Sequence, residues 1–240
     1  MKNGAIIFDT PYSKILFDNG KVSFKKIYKT EAHHLISESM ILMGYVISDY
    51  LYQRGISGPF RTQKLNCNPK EILDRNFYSP IKYSILKQYI GKSYISIKPG
   101  IHETLALKTY VQATSPLRRY LDLLIQRQLY LSLNKLEILS NNIVNEIIEK
   151  IKLKNIENKN IIKENKNYFL KKYFNTDNVN LHKILFIRWI NNKKNIALVY
   201  FPDLNLETLI NLYISAETYP NKIYKVKYEN NENSNLLDFL

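Results

Sequence analysis

Arg118 and Arg119 follow Ser115-Pro116-Leu117 and precede Tyr120-Leu121-Asp122, a spacing that can set two guanidiniums at the start of a helix. Ser115 is a good N-cap, and Pro116 suits the first helical position, where its missing N–H costs nothing. Leu117, Leu121, Leu124, Ile125, Leu129 and Leu133 then recur every three or four residues, which predicts one apolar stripe. A helix N-terminus carries about half a positive charge and ordinarily attracts carboxylates. Two cations there, together with free backbone N–H groups, suit a bound anion, and arginine grips phosphate in a fork. The alternative is internal: Asp122 stands four residues after Arg118 and three after Arg119, the spacing of a helical ion pair. The sequence leaves both readings open.

Three further residues could take part. Glu38 lies between the apolar pairs Leu35-Ile36 and Met40-Ile41, so its carboxylate is either paired, at the edge of a helix, or turned toward a ligand. Arg61, in Pro59-Phe60-Arg61-Thr62-Gln63, adds a cation or is an ordinary surface arginine. His102, after Lys98-Pro99-Gly100-Ile101, is a structural donor or a site residue.

The elements that must position these residues are legible from caps and periods. Ile15-Leu16-Phe17 and Val22-Ser23-Phe24, joined through Asp18-Asn19-Gly20, read as strands about a tight turn, with a further strand at Ala5–Phe8. Thr30 caps a long helix running to about Arg54, with Gly55 past its end. Its apolar positions (Leu35, Ile36, Leu42, Met43, Val46, Ile47, Tyr50, Leu51) are so numerous that most of it is expected to be buried. Asn68-Pro69 and Ser79-Pro80 are two more helix starts, Gly91 closes the second of these helices, and Tyr94–Lys98 alternates as a strand. From Asn142 the chain reads as a long amphipathic helix or helix pair with a basic, solvated face. From Lys183 the period changes to four short strands, which suits a small barrel of OB type. Arg188, Trp189, Tyr200 and Phe201 there are candidate ligand contacts, one cation and three rings able to stack, or, alternatively, core.

Composition narrows the class. The 240 residues carry a net charge of +14 and 45% hydrophobic residues, which fits a packed protein with a polyanionic partner, nucleic acid ahead of an anionic membrane. Abundant Lys, Asn and Ile also fit an A/T-rich genome. One cysteine, Cys67, excludes a disulfide framework and a thiolate-rich zinc site within one chain. No apolar run approaches a membrane span and no signal-peptide pattern opens the chain, so a soluble protein without an import sequence is expected.

Thr114-Ser115-Pro116-Leu117-Arg118-Arg119-Tyr120-Leu121-Asp122-Leu123, with His102 upstream and Gln126-Arg127-Gln128-Leu129 downstream, resembles the signature of the RNase II-type (RNB domain) exoribonucleases. Leu35–Gly44 and Pro59–Gln63 resemble two further segments of that family, in the same order. The resemblance implies a Mg²⁺-dependent enzyme that degrades single-stranded RNA from its 3′ end to nucleoside 5′-monophosphates. It implies catalytic roles for Arg118, Arg119 and Glu38, the last near the terminal nucleotide, and RNA contacts for Arg61, His102, Thr114, Ser115, Tyr120 and Arg127. The implied fold is α+β: the C-terminal half of an RNB catalytic domain over residues 1–174, including the helical segment 142–174, and an OB-like RNA-binding barrel over 179–240.

The family binds Mg²⁺ through closely spaced aspartates in the first half of its catalytic domain. Here Asp9, Asp18, Asp49, Asp74, Asp122, Asp177, Asp203 and Asp238 are scattered, so no metal ligand is assigned. The expectation is therefore one part of a split or truncated nuclease, inactive alone, whose aspartate-rich half comes from a separate polypeptide. The alternative is a noncatalytic RNA-binding protein derived from the family. A domain divided in this way leaves an apolar face open, which predicts a partner. Gln126-Arg127 and the composition resemble the cyanobacterial and plastid branch, implying a plastid-encoded protein or a bacterial cytoplasmic one.

Overall fold

The computed structural model describes residues 4–6, 12–66, 68, 79–176, 181–213, 218–220, 222–231, 234 and 236–240. The strand expected at Ala5–Phe8 and the helix expected after Asn68-Pro69 fall wholly or partly outside them. The fold is α+β and forms two compact units. One comprises residues 1–8, 29–72 and 86–158, and the other 9–28, 73–85 and 159–240.

The first unit is built on α1 (Glu31–Gln53). Thr30 Oγ1 caps it by accepting from His33 N, and His33 Nδ1 returns the bond to Thr30 N, closing a capping box. Gly55, at φ +64°, ends it in the left-handed region that glycine enters without strain. The two-stranded sheet of β3 (Phe60–Thr62) and β4 (Tyr94–Ser96), α3 (Tyr120–Leu133) and the first part of α4 (Asn141–Thr176) complete the unit. α2 (Ser79–Tyr89) begins at the predicted Ser-Pro step. One core joins Ile47 and Leu51 of α1 to Ile56, Phe60, Val111, Ala113 and Ile125. A second sets Leu121 and Leu124 of α3 against Val144 and Ile148 of α4. Buried Gln128 fixes the loop between these helices: its amide donates to Ser57 O (3.0 Å) and Leu139 O (3.2 Å) and accepts from Leu139 N (2.9 Å).

Contrary to expectation, most of α1 is not buried. Gly44, Ile47, Ser48 and Leu51 are buried, whereas Leu35, Ile36, Met40 and Leu42 remain in solvent, because no element among the described residues packs over them.

In the second unit β1 (Tyr12–Asp18) and β2 (Lys21–Ile27) form a hairpin about Asn19-Gly20, both at positive φ as a two-residue hairpin turn requires. The later strands, β5 (His182–Asn191), β6 (Ile196–Phe201), β7 (Leu206–Leu212), β8 (Ile223–Val226), β9 (Tyr228–Glu229) and β10 (Leu237–Phe239), form one sheet in the order β8-β5-β6-β7-β10-β9. β10 joins β7 in parallel, and the other pairs are antiparallel. β7 alternates buried and half-buried residues, the period-2 signature of a strand with one face on the core. Leu170 and Phe174 of α4 pack into that core, where Phe174, Phe201 and Phe239 meet ring to ring at 5.3–5.5 Å between centroids. Among the described residues, no helix is long and apolar enough to cross a membrane.

Candidate functional site

The segments around Arg61 and His102 meet through backbone pairing. Arg61 N donates to Tyr110 O (2.8 Å), Phe60 bridges Val111, Gln63 N donates to Ile101 O (3.1 Å), and Gln63 bridges His102. Arg61, His102 and Tyr110, spread over fifty positions of sequence, are thereby brought to one place. Gly44 makes this possible on the α1 side: a Cβ there would come within 2.3 Å of Val111 O and 2.6 Å of the Tyr110 ring, so only glycine lets the helix approach so closely.

The arginine motif folds differently from its sequence pattern. Ser115 O accepts from both Arg118 N (3.3 Å) and Arg119 N (3.0 Å), closing a turn over 116–118. Arg119 is then extended (φ −133°, ψ 107°) as the N-cap, and α3 starts at Tyr120 rather than Pro116. Asp122 explains the shift. Its carboxylate reaches back to accept from Ser115 N (2.9 Å) and pairs with Arg119 Nη2 at 2.8 Å, tying the turn to the first turn of the helix. That is also where the helix dipole favours a negative charge. Leu117 is consequently fully exposed and lies off the apolar stripe expected of it.

Around Asp122, which is 1% exposed, two arginines compete for one counter-charge. Arg119 also donates to Thr114 Oγ1 (3.4 Å). Burial pushes the Arg61 guanidinium below its ordinary pKa and Arg119 pushes it the same way, against the opposing influence of Asp122 and Tyr110. Burial raises Tyr110, as Asp122 does, while Arg61 and Arg119 counter it, so its hydroxyl stays protonated and able to donate. Burial lowers His102 and the charge of Arg61 adds to the effect, which favours a neutral ring at neutral pH. That ring stands edge-on to Tyr110 (centroids 5.4 Å apart), with Nδ1 3.2 Å from Thr104 Oγ1. Thr104 Oγ1 donates to Gln63 Oε1, and Gln63 Nε2 donates to Gly91 O (2.9 Å). Asp122 Oδ1 and Arg119 Nε are buried without a hydrogen-bond partner among the described residues. Two guanidiniums against one carboxylate leave an uncompensated positive charge, the electrostatic requirement of an anion site.

Of the residues singled out from sequence, Arg61, Thr114, Ser115 and Arg119 therefore gather around Asp122, and His102 stands beyond them against Tyr110. Arg118 is exposed on the preceding turn, and Tyr120 and Arg127 are exposed on α3. Glu38 is exposed on the first half of α1, with no described contact to the cluster. Tyr110 and Gln63 were not anticipated. Tyr110 has no local signal, since its role follows from the Gly44 approach and the pairing with Arg61. In the second unit Tyr200 and Phe201 are buried, which takes their rings away from stacking on bases, and Trp189 Nε1 donates to Thr218 Oγ1 (2.8 Å).

Mg²⁺ does not fit these residues. Among the described residues no three His, Cys, Asp or Glu side chains lie close enough to hold a metal, and Asp122 is already engaged by cations.

The family profile described as RNB domain matches residues 1–135. An uncharacterized ribonuclease of Synechocystis is 28% identical over 182 residues, 73% of this chain and 27% of its own length. The chloroplastic/mitochondrial ribonuclease II of Arabidopsis thaliana is 31% identical over 104 residues, 41% of this chain and 12% of its own. Among solved structures, an active-site mutant of the Dss1 exoribonuclease of Candida glabrata matches 99% of this chain and 32% of its own at TM-score 0.82 and 17% identity. Mycoplasma genitalium RNase R bound to ribose-methylated single-stranded RNA matches 100% and 47%, at TM-score 0.70 and 15% identity. Yeast Ssd1, a pseudonuclease, matches 76% and 27%, at TM-score 0.53 and 14% identity. The chain thus spans about a quarter or less of these curated relatives.

Proposed function

The chain belongs to the RNB-domain family, and from that premise we propose that it is the RNA-holding part of a Mg²⁺-dependent 3′-5′ exoribonuclease acting on single-stranded RNA. The metal-binding carboxylates then come from another polypeptide segment. The observation that carries this is the pair Arg61 and Arg119 held about the single carboxylate of Asp122, with Arg118 exposed on the adjoining turn. An RNA phosphate suits the excess charge, and a guanidinium fork suits its oxygens. In this reading Arg119 and Arg61 brace and hold a phosphate, and Arg118 stabilises charge developing near the scissile bond. Glu38 approaches the terminal nucleotide, and Thr114, Ser115, Tyr120 and Arg127 contact the strand. The bound RNA in the Mycoplasma neighbour supports the substrate class. Cyanobacterial and chloroplastic relatives support a plastid setting.

The test is a time course of 5′-labelled single-stranded RNA with the purified chain and Mg²⁺, beside Arg118→Ala and a chelator control. The expected result is RNA bound but intact. Stepwise, Mg²⁺-dependent shortening that Arg118→Ala abolishes would overturn the view that the carboxylates lie elsewhere. A second reading, a noncatalytic RNA-binding protein, is favoured by the missing carboxylate group among the described residues and by the likeness to a pseudonuclease. The two separate when the aspartate-bearing half of a related enzyme is added: degradation supports the first, continued protection the second.

A further inference from the structure

α1 carries an apolar face that no other element among the described residues covers. Leu35 is 68% exposed, Ile36 60%, Leu42 61%, Met43 42% and Val46 56%. At about 100° per residue, Leu35, Leu42 and Val46 fall within roughly 40° of one another, on the side of the helix opposite Gly44 and Leu51, with Met43 and Ile36 widening the stripe. The helix is therefore apolar on two opposed faces, the pattern of a helix sandwiched between layers rather than one lying on a surface. Its inner face meets the core around Phe60 and Ile125. The outer face is a contiguous exposed patch of the kind that marks an interaction site.

Resting on the reading that the carboxylates are supplied by another polypeptide, we propose that this outer face of α1 is where that polypeptide docks. The occupant is the remaining, aspartate-bearing part of an RNB domain. Two observations select it. The solved chains that share this fold over 99–100% of its length are only 32–47% covered by it, so in them more polypeptide is present than the fold described here needs. Charge is complementary as well: the unit presents Arg61, Arg118 and Arg119 and the chain carries +14, which attracts an acidic partner and opposes a second copy of itself. Glu38, on the flank of the stripe beside Leu42, then lies at the seam, which brings it toward a site that it does not touch among the described residues.

The full chain is mixed with the part of the Synechocystis ribonuclease that lies outside the region matched here, and the mixture is followed by light scattering after gel filtration. A 1:1 complex is expected, weakened roughly a hundredfold or more by the double substitution Leu42→Glu/Val46→Glu, which places two carboxylates at its centre. Leu123→Glu, at another exposed apolar position on α3, leaves the complex intact. Circular dichroism shows whether each variant folds. No complex, a complex indifferent to Leu42→Glu/Val46→Glu, or a homodimer held by this face would each overturn the proposal. RNA binding by the chain, measured separately by gel shift, distinguishes the two inferences: its absence in the wild type sinks the functional reading, whereas its retention in Leu42→Glu/Val46→Glu isolates the docking surface.

Discussion

Asp122→Ala tests the architecture of the arginine cluster most directly. The carboxylate is 1% exposed and holds Arg119 Nη2 at 2.8 Å and Ser115 N at 2.9 Å. Removing one partner of a buried ion pair costs about 3–5 kcal/mol. Arg119 is 24% exposed, so water screens part of that, leaving about 2–4 kcal/mol, and the orphaned Ser115 N–H adds about 1. Asp122→Asn keeps an oxygen for Ser115 N but not the charge, and should cost about 1 kcal/mol less than alanine. Arg119→Ala combined with Asp122→Ala removes the stranded cation, so the double variant should fall short of the sum of the singles by about 1–3 kcal/mol. Urea unfolding followed by circular dichroism supplies all four values. A loss below about 1 kcal/mol for Asp122→Ala, or singles that add within about 0.5 kcal/mol, would refute the claim that this carboxylate organises the turn and both arginines. Because Asp122 is also the counter-charge of the site, folded Asp122→Asn should bind single-stranded RNA no more weakly than wild type.

Three other outcomes follow from the same geometry. Alanine ordinarily stabilises a helix over glycine by about 1 kcal/mol. Gly44→Ala should instead destabilise by about 1–3 kcal/mol, because the Cβ meets the backbone oxygen of Val111 at 2.3 Å, and a raised melting temperature would contradict this. His102 has its folded pKa below the unfolded value near 6.5, so the unfolded chain takes up its proton first. Stability contributed by the neutral ring is present above that value and lost as pH falls below it. His102→Gln should flatten this dependence in unfolding curves taken from pH 7.5 to 5. Arg118→Ala, at an exposed turn position, should leave stability within about 0.5 kcal/mol while lowering RNA affinity and reducing the log–log salt slope by about 0.7, read from gel shifts at several salt concentrations.

Local signals were legible wherever they did not compete with a distant group. Thr30 and Gly55 bracket α1 as their cap preferences predict, Asn19-Gly20 makes the hairpin, Ser79-Pro80 opens α2, and the change of period after Lys183 marks the sheet. The extent of α1 was readable, but its burial was not. Periodicity reports which side chains want cover, not what supplies it, and the outer residues Leu35 and Leu42 stay exposed among the described residues. The start of α3 failed for a related reason. Ser115-Pro116 is a sound N-cap pair by local rules, yet Asp122 binds Ser115 N across seven residues and holds the chain in a turn that local rules cannot foresee.

That same carboxylate settles the pairing and leaves room for the proposed anion contact. Ion pairing with Asp122 and an anion site look like alternatives only when both arginines are placed on one helical turn. The extended Arg119 splits them: Arg119 turns inward and pairs with Asp122, while Arg118 is left on the exposed turn. Arg61, delivered by β3 from far upstream, restores the excess of positive charge that Asp122 removes. A single arginine in the motif could satisfy the carboxylate or face a phosphate, but not both. With Arg118, Arg119 and Arg61 sharing the task, the carboxylate can fix the backbone without cancelling the positive field on which the proposed phosphate contact depends.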